Sequence, residues 1–178
     1  MKAKMILAVF PLLLAGMLSG CSSNKSPDVT DNIRKSLDQA GFKDVSVSED
    51  REKGVVTLTG TVPTDTDKQQ AESIAKSTAP NLVVADQIAV RPPGNESEAK
   101  AVDADLDKAI EKNLDATLIK HRLKKNVKYD VKNGVVTLTG DLPSQSKRQE
   151  VEKLAASIPN VKQVVNEIEV KGKKATTS

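Results

Sequence analysis

Apolar positions along this chain follow a helical period and then a period of two, and the whole sequence of periods occurs twice. Ile33, Leu37 and Ala40 recur at helical spacing, and Gly41 stops that run. Val45–Ser48 alternates as a strand, polar residues 49–53 predict a turn, and Val55–Thr59 reads as a second strand rich in β-branched residues. Pro63 and Thr64-Asp65 end that strand and can cap a helix carrying Ala71, Ile74 and Ala75. Pro80-Asn81 closes the helix. Leu82–Val90 then predicts a third strand, with Val84, Asp86, Ile88 and Val90 on one side.

The order repeats. Leu106, Ile110 and Leu114 form a helical stripe, Val127, Tyr129 and Val131 alternate, and Asn133-Gly134 signals a type I′ hairpin into Val135–Thr139. Leu142-Pro143 breaks the strand, and Ser144 or Ser146 can cap a helix carrying Val151, Leu154 and Ala155. Pro159-Asn160 matches Pro80-Asn81, and Val164, Ile168 and Val170 match the last strand. The seven residues Gly54–Gly60 (GVVTLTG) recur unchanged as Gly134–Gly140, 80 positions further on. A repeat of that length marks a tandem duplication.

The expected fold is α+β: two tandem αββαβ domains, each a small three-stranded mixed sheet covered on one face by two helices. The domains span residues 29–91 and 102–171. The linker, 92–101, starts stiffly at Pro92-Pro93 and continues as a flexible polar segment, and 172–178 is expected to be a disordered tail. A unit this small buries only roughly 60% of its unfolded surface, so packing the two together should stabilise both.

Residues 1–20 read as a signal rather than as fold: Lys2 and Lys4 precede a short apolar run, Met5–Leu14. Leu18-Ser19-Gly20-Cys21 resembles the lipobox of bacterial lipoproteins. That resemblance implies cleavage before Cys21, acylation of its thiol, and a short polar tether over 21–28. Each buried methylene contributes ~0.8 kcal/mol, so two or three acyl chains anchor durably. Ser22, in place of an Asp, favours the periplasmic face of the outer membrane by the enteric sorting pattern. Cys21 is the sole cysteine of the chain, so no intrachain disulfide can form.

The αββαβ order, the Gly-Val-Val-Thr-Leu-Thr-Gly strand, the Val62-Pro63 and Leu142-Pro143 turns, the small-residue helix stripes and the Pro159-Asn160-Val161 step together resemble the BON domain. Two copies behind a lipobox are similar to the dual-BON envelope lipoproteins. The resemblance implies binding of phospholipid or of envelope proteins, and support of outer-membrane integrity under stress. Its motifs are structural rather than catalytic.

Charge then divides the copies. Residues 22–100 hold 10 Lys+Arg against 13 Asp+Glu, net −3, while 101–178 hold 15 against 11, net +4. Lys120, Arg122, Lys124, Lys125 and Lys128 crowd the connection before the second hairpin, and Lys171, Lys173 and Lys174 follow the last strand. The first five are the candidate lipid-headgroup ligands, because basic residues beside a membrane attract anionic phospholipid. Leu118, Ile119 and Leu123 are the nearby residues available for shallow insertion, and they also suit a core. The rival expectation is a periplasmic protein-interaction or chaperone-like module, with sheet edges taking strands from envelope proteins such as outer-membrane assembly factors. No enzyme, cofactor, metal site or nucleic-acid partner is expected: His121 is the one histidine, and Phe42 and Tyr129 are the only aromatics beyond the signal.

Overall fold

The computed structural model describes residues 29–171. The expectations for the signal, Leu18, Ser19, Gly20, Cys21, the tether, Lys173, Lys174 and the tail lie outside the described residues.

Helix α1 (Thr30–Gln39) opens at Val29, which has no capping side chain. Glu49 reaches across and accepts from the Val29 N–H at 3.3 Å. A carboxylate is favoured at that end of the helix dipole. The helix closes on Gly41 (φ 91°), with Gly41 N–H donating to Asp38 O at 3.1 Å and Phe42 N–H to Leu37 O at 2.9 Å. This is the paired C-terminal motif that needs a left-handed residue.

Strands β1 (Val45–Asp50) and β2 (Val55–Val62) are antiparallel, and β3 (Val83–Val90) lies parallel to β2. Between them, α2 (Asp65–Thr78) starts with a reciprocal cap: Thr64 Oγ1 accepts from Asp67 N–H and Asp67 Oδ2 from Thr64 N–H. Ile33, Leu37, Val56, Leu58, Ala75 and Ile88 fill the space between helices and sheet.

The second domain has α3 (Glu96–Lys120), β4 (Val127–Lys132), β5 (Val135–Leu142), α4 (Gln145–Ala156), β6 (Gln163–Asn166) and β7 (Glu169–Val170). The same mixed sheet results, β4–β5–β6, with β7 beside the end of β5. Asn133 and Gly134 both have positive φ (51° and 82°), as the type I′ turn requires. Of the two serines expected to cap α4, Ser144 does so, accepting from Lys147 N–H.

Four expectations are corrected. The first turn is shorter than residues 49–53, because Glu49 and Asp50 continue β1 and the Glu49 side chain turns inward toward α1. The polar part of the linker is helical from Glu96, since Arg91 binds Asp103 at 2.5 Å and ties the first turns of α3 to the end of β3. The core stripe of α3 is Ile110, Leu114 and Leu118, with Leu106 only half-buried. The last strand of the second domain is broken at Glu167-Ile168, whereas its counterpart β3 runs unbroken through eight residues.

The last glycine of the repeated heptapeptide has a definite task. Gly60 and Gly140 have φ of 121° and 126°, and a Cβ at either would stand 2.0 Å from a carbonyl oxygen, that of Asp44 or Asn126. The chain therefore enters β1 and β4 by passing directly over a bare Cα. Gly41 shares the positive φ, but nothing lies within 4 Å of its would-be Cβ. Gly140→Ala should cost about 3 kcal/mol, the upper range for forced backbone strain, and Gly41→Ala only about 1 kcal/mol for the left-handed conformation. Urea denaturation of the two variants checks this, and equal losses would count against the close-approach argument.

Candidate functional site

The basic cluster forms at the C-terminus of α3, but its members do not share one surface. Lys120 ends the helix and His121 caps it. Arg122 takes the left-handed position (φ 58°), donating its N–H to Ile119 O at 3.0 Å, while Leu123 N–H reaches Leu118 O at 2.8 Å. This is the motif that ends α1, with Arg122 where α1 has Gly41. Leu118 and Leu123 are buried and supply its apolar contact, which leaves Ile119, 59% exposed, as the one of the three free for insertion.

Lys124 is paired with the Asp115 carboxylate, and its ammonium stands 4.6 Å from the centre of the Tyr129 ring. The Lys124 ammonium, helped by the Tyr129 hydroxyl, holds the Asp115 carboxyl below its ordinary range, and Asp115 raises Lys124 in turn. Lys128 lies on the sheet face opposite Val127, Tyr129 and Val131, away from the helices. Lys120, Arg122, Lys125 and Lys128 make no ion pair with any described residue. His121 Nδ1 lies 3.9 Å from Glu150 Oε1. Among the described residues no group of three or more His, Cys, Asp or Glu is placed to hold a metal, and no helix is long and apolar enough to cross a membrane.

A second polar centre lies where the domains meet. The sheet faces not covered by helices touch through Val55, Ala85, Val135 and Val165, all buried. These are two equivalent pairs, since Val55 and Val135, like Ala85 and Val165, stand 80 positions apart. Asn133 Nδ2 donates to Gln87 O at 2.7 Å, fixing the second hairpin against β3, and Asp107 of α3 accepts from the Asn133 and Gly134 N–H groups at 2.8 Å each. Lys53, at the first hairpin, pairs with Glu169.

Side chains occupy the outer edge of β3 from Val84 O to Ile88 O. The Gln163 carboxamide donates to Val84 O at 2.7 Å and accepts from Asp86 N–H at 3.0 Å. Lys68 Nζ donates to Ile88 O at 2.7 Å, and Asp86 Oδ1 accepts from Ile88 N–H at 3.1 Å. Asp86 is 6% exposed and its carboxylate lies 3.7 Å from Lys68. Burial pushes the Asp86 carboxyl up and the Lys68 ammonium down, and the partner's charge offsets each shift only in part. The second domain repeats the device with Arg148, which donates to Asn166 O at 2.6 Å, and Asn166, which accepts from Ile168 N–H at 3.2 Å. Periodicity put Asp86 on the apolar side of its strand, and an acid there was the one available sign of this pair; Gln163 gave no sign.

Residues 25–92 and 103–172 each match the BON domain. The chain belongs to the BON-domain family, as a protein with two copies. It is similar to the osmotically-inducible protein Y of Escherichia coli (strain K12), 27% identical over 146 residues covering 80% of this chain and 71% of that protein. It is also similar to an uncharacterised protein of the gshII 5′ region of Anaplasma centrale, 30% identical over 145 residues covering 80% and 92%. Two solved structures of CdsD, a structural protein of the type III secretion system of Chlamydia trachomatis, align at 17% and 16% identity. Their TM-scores are 0.35 and 0.37, over 82% and 83% of this chain and 98% and 94% of theirs.

Asp86 gives a pH signature with a definite sign. A carboxyl whose pKa in the fold exceeds its ordinary 3.8 binds more protons folded than unfolded just above that value. Its ionisation therefore removes stability as pH rises through that window. Asp86→Asn, the residue found at the equivalent Asn166, keeps the acceptor for Ile88 N–H and removes the slope. The stability of the variant minus that of the wild type, from urea titrations, should climb as pH rises from 3.8 toward neutrality; a level difference would refute the assignment.

Proposed function

We propose that this BON protein is a lipid-anchored envelope protein on the periplasmic face of the outer membrane. In this reading the acyl chains on Cys21 tether it, and the end of α3 rests on anionic phospholipid, supporting membrane integrity under stress. The relative named for osmotic induction agrees with the stress setting. The observation that carries the lipid contact is Arg122 in a left-handed conformation. An L-residue there costs ~1–2 kcal/mol that a glycine avoids, and the first domain uses Gly41 at the matching turn. A strained cation with no ion-pair partner among the described residues has a use outside the fold. Lys120 and Lys125 flank it, and Ile119 offers an apolar side chain one turn away. Each such cation contributes ~1 kcal/mol at an anionic surface, weakened by salt. Lys124 adds little, because Asp115 already neutralises it.

Arg122→Gly separates stability from binding. In the mature chain carrying Cys21→Ser, the variant should unfold at higher urea, gaining about 1 kcal/mol. It should also sediment about fivefold less well with phosphatidylglycerol vesicles, the equivalent of one lost surface cation. Lys124→Gln should leave sedimentation nearly unchanged. Equal binding to phosphatidylcholine and phosphatidylglycerol vesicles, or binding indifferent to Arg122→Gly, would sink the lipid contact. The anchor is checked separately: Cys21→Ser in cells should move the protein from the membrane to the soluble envelope fraction, and retention in the membrane would remove Cys21 from its role.

A further inference from the structure

The last strands of the two domains hold their outward backbone groups in the same way, by a basic side chain from the preceding helix and by Asp86 or Asn166, but they differ at the first residue of the strand. The position 80 residues before Gln163 is Val83, which is 49% exposed and whose side chain has no group to donate or accept. Gln163 fills the outward pair on β3, Val84 O and Asp86 N–H. The matching outward pair on β6 is Val164 O and Asn166 N–H, and no described residue fills it. Its neighbours are already taken, since Arg148 holds Asn166 O and Asn166 Oδ1 holds Ile168 N–H. Val164 O and Asn166 N–H are thus open where the matching groups of β3 are filled, with a cavity of about 270 Å³ beside them, lined by Glu152, Ala156, Val161, Lys162, Gln163 and Val164.

We propose that this gap on β6 binds an extended segment of another protein, one residue of which adds to the edge in parallel register. The chemistry is that of Gln163 on β3: one N–H presented to a carbonyl and one C=O presented to an amide. A residue in an extended chain carries both groups on the same side, so it replaces the carboxamide without new geometry. Ala156 and Val161 give the cavity a small apolar wall. Lys162 borders it and makes no ion pair with any described residue, whereas Glu152 is engaged with Asn166 Nδ2 at 2.9 Å. The segment that fits therefore carries a carboxylate next to its paired residue. An orphan backbone pair at a strand edge is open to such pairing, and the bonds already made by Asn166 O and Ile168 N–H limit it on one side. This site is separate from the lipid contact at the end of α3 and stands without it.

The test uses the ¹⁵N-labelled mature chain with Cys21→Ser and the probe pentapeptide acetyl-TVEVT-amide. In the free protein the Asn166 amide should exchange with solvent much faster than the Asp86 amide, and comparable protection of both would overturn the vacancy. The probe should shift and protect the Asn166 amide and leave Asp86 unmoved, and the same peptide N-methylated at its central residue should not bind. Val83→Gln, which supplies the missing carboxamide, should protect Asn166 in the absence of peptide. It should weaken the probe about tenfold or more, as expected for losing two backbone hydrogen bonds. Should that variant fold poorly, Val83→Ala should keep or strengthen binding. Lys162→Gln should weaken this probe and not acetyl-TVQVT-amide. Absence of any Asn166 shift at millimolar probe, or binding indifferent to Val83→Gln despite a protected Asn166, would overturn the proposal.

Discussion

A three-stranded sheet has two faces, and two helices cover only one of them. Everything else in this molecule follows from how the second face is buried. Val55 and Ala85 meet Val135 and Val165, so each domain provides part of the other's missing layer. A domain of this size has little core to spare, and burial of a Val side chain contributes ~1.5–3 kcal/mol. The apolar seam is small, and polar contacts fix its geometry: Gln163 on β3, Asn133 on Gln87, Lys53 on Glu169, Arg91 on Asp103. Each uses a backbone group or a charge that would otherwise lie unpaired at a domain boundary, where an unmet buried polar group costs about 1–3 kcal/mol.

The seam also explains why the two copies diverged in the way they did. Their shared heptapeptide is fixed by packing on both faces: Val56 and Leu58 point to the helices, Val55 to the seam, and Gly60 passes under a carbonyl. In core and seam the copies differ by one apolar residue for another, as Ala71 for Val151 and Ala85 for Val165, and the changes of chemistry sit at the end of α3 and along the outer strand edges. There Gly41 is answered by Arg122, Asp86 by Asn166 and Val83 by Gln163.

Elements with strong periodicity and marked ends were legible in the sequence. The two hairpins, the Pro63 and Pro143 breaks and the Asn133-Gly134 turn all rest on local backbone chemistry, which the chain displays residue by residue. The fate of the linker was obscured by its polarity: Glu96–Ala101 has good helix formers and acids in its first turn but no apolar stripe, and the Arg91–Asp103 pair that ties it to β3 shows only in the fold. The basic cluster was visible as composition, but composition carries no directions. Lys124 is neutralised by Asp115 nine residues earlier, and Lys128 faces away because strand side chains alternate. Gln163 was invisible, since a polar residue at the start of a strand reads as solvent-facing until a second domain lies against it.

The unequal treatment of the two outer edges bears on how the domains divide their work. β3 is continuous, and Lys68, Asp86 and Gln163 occupy its outer edge between Val84 O and Ile88 O. β6 is four residues long, breaks at Glu167, and lacks one clamp. A clamped strand is stiff, and an unclamped one keeps backbone groups available at the cost of continuity. The same second domain bears the cluster of unpaired cations around the left-handed Arg122. The clamp that Gln163 lends to β3 is therefore one-sided: the second domain braces the first, and its own strand edge keeps the Val164 O and Asn166 N–H groups that no described residue fills.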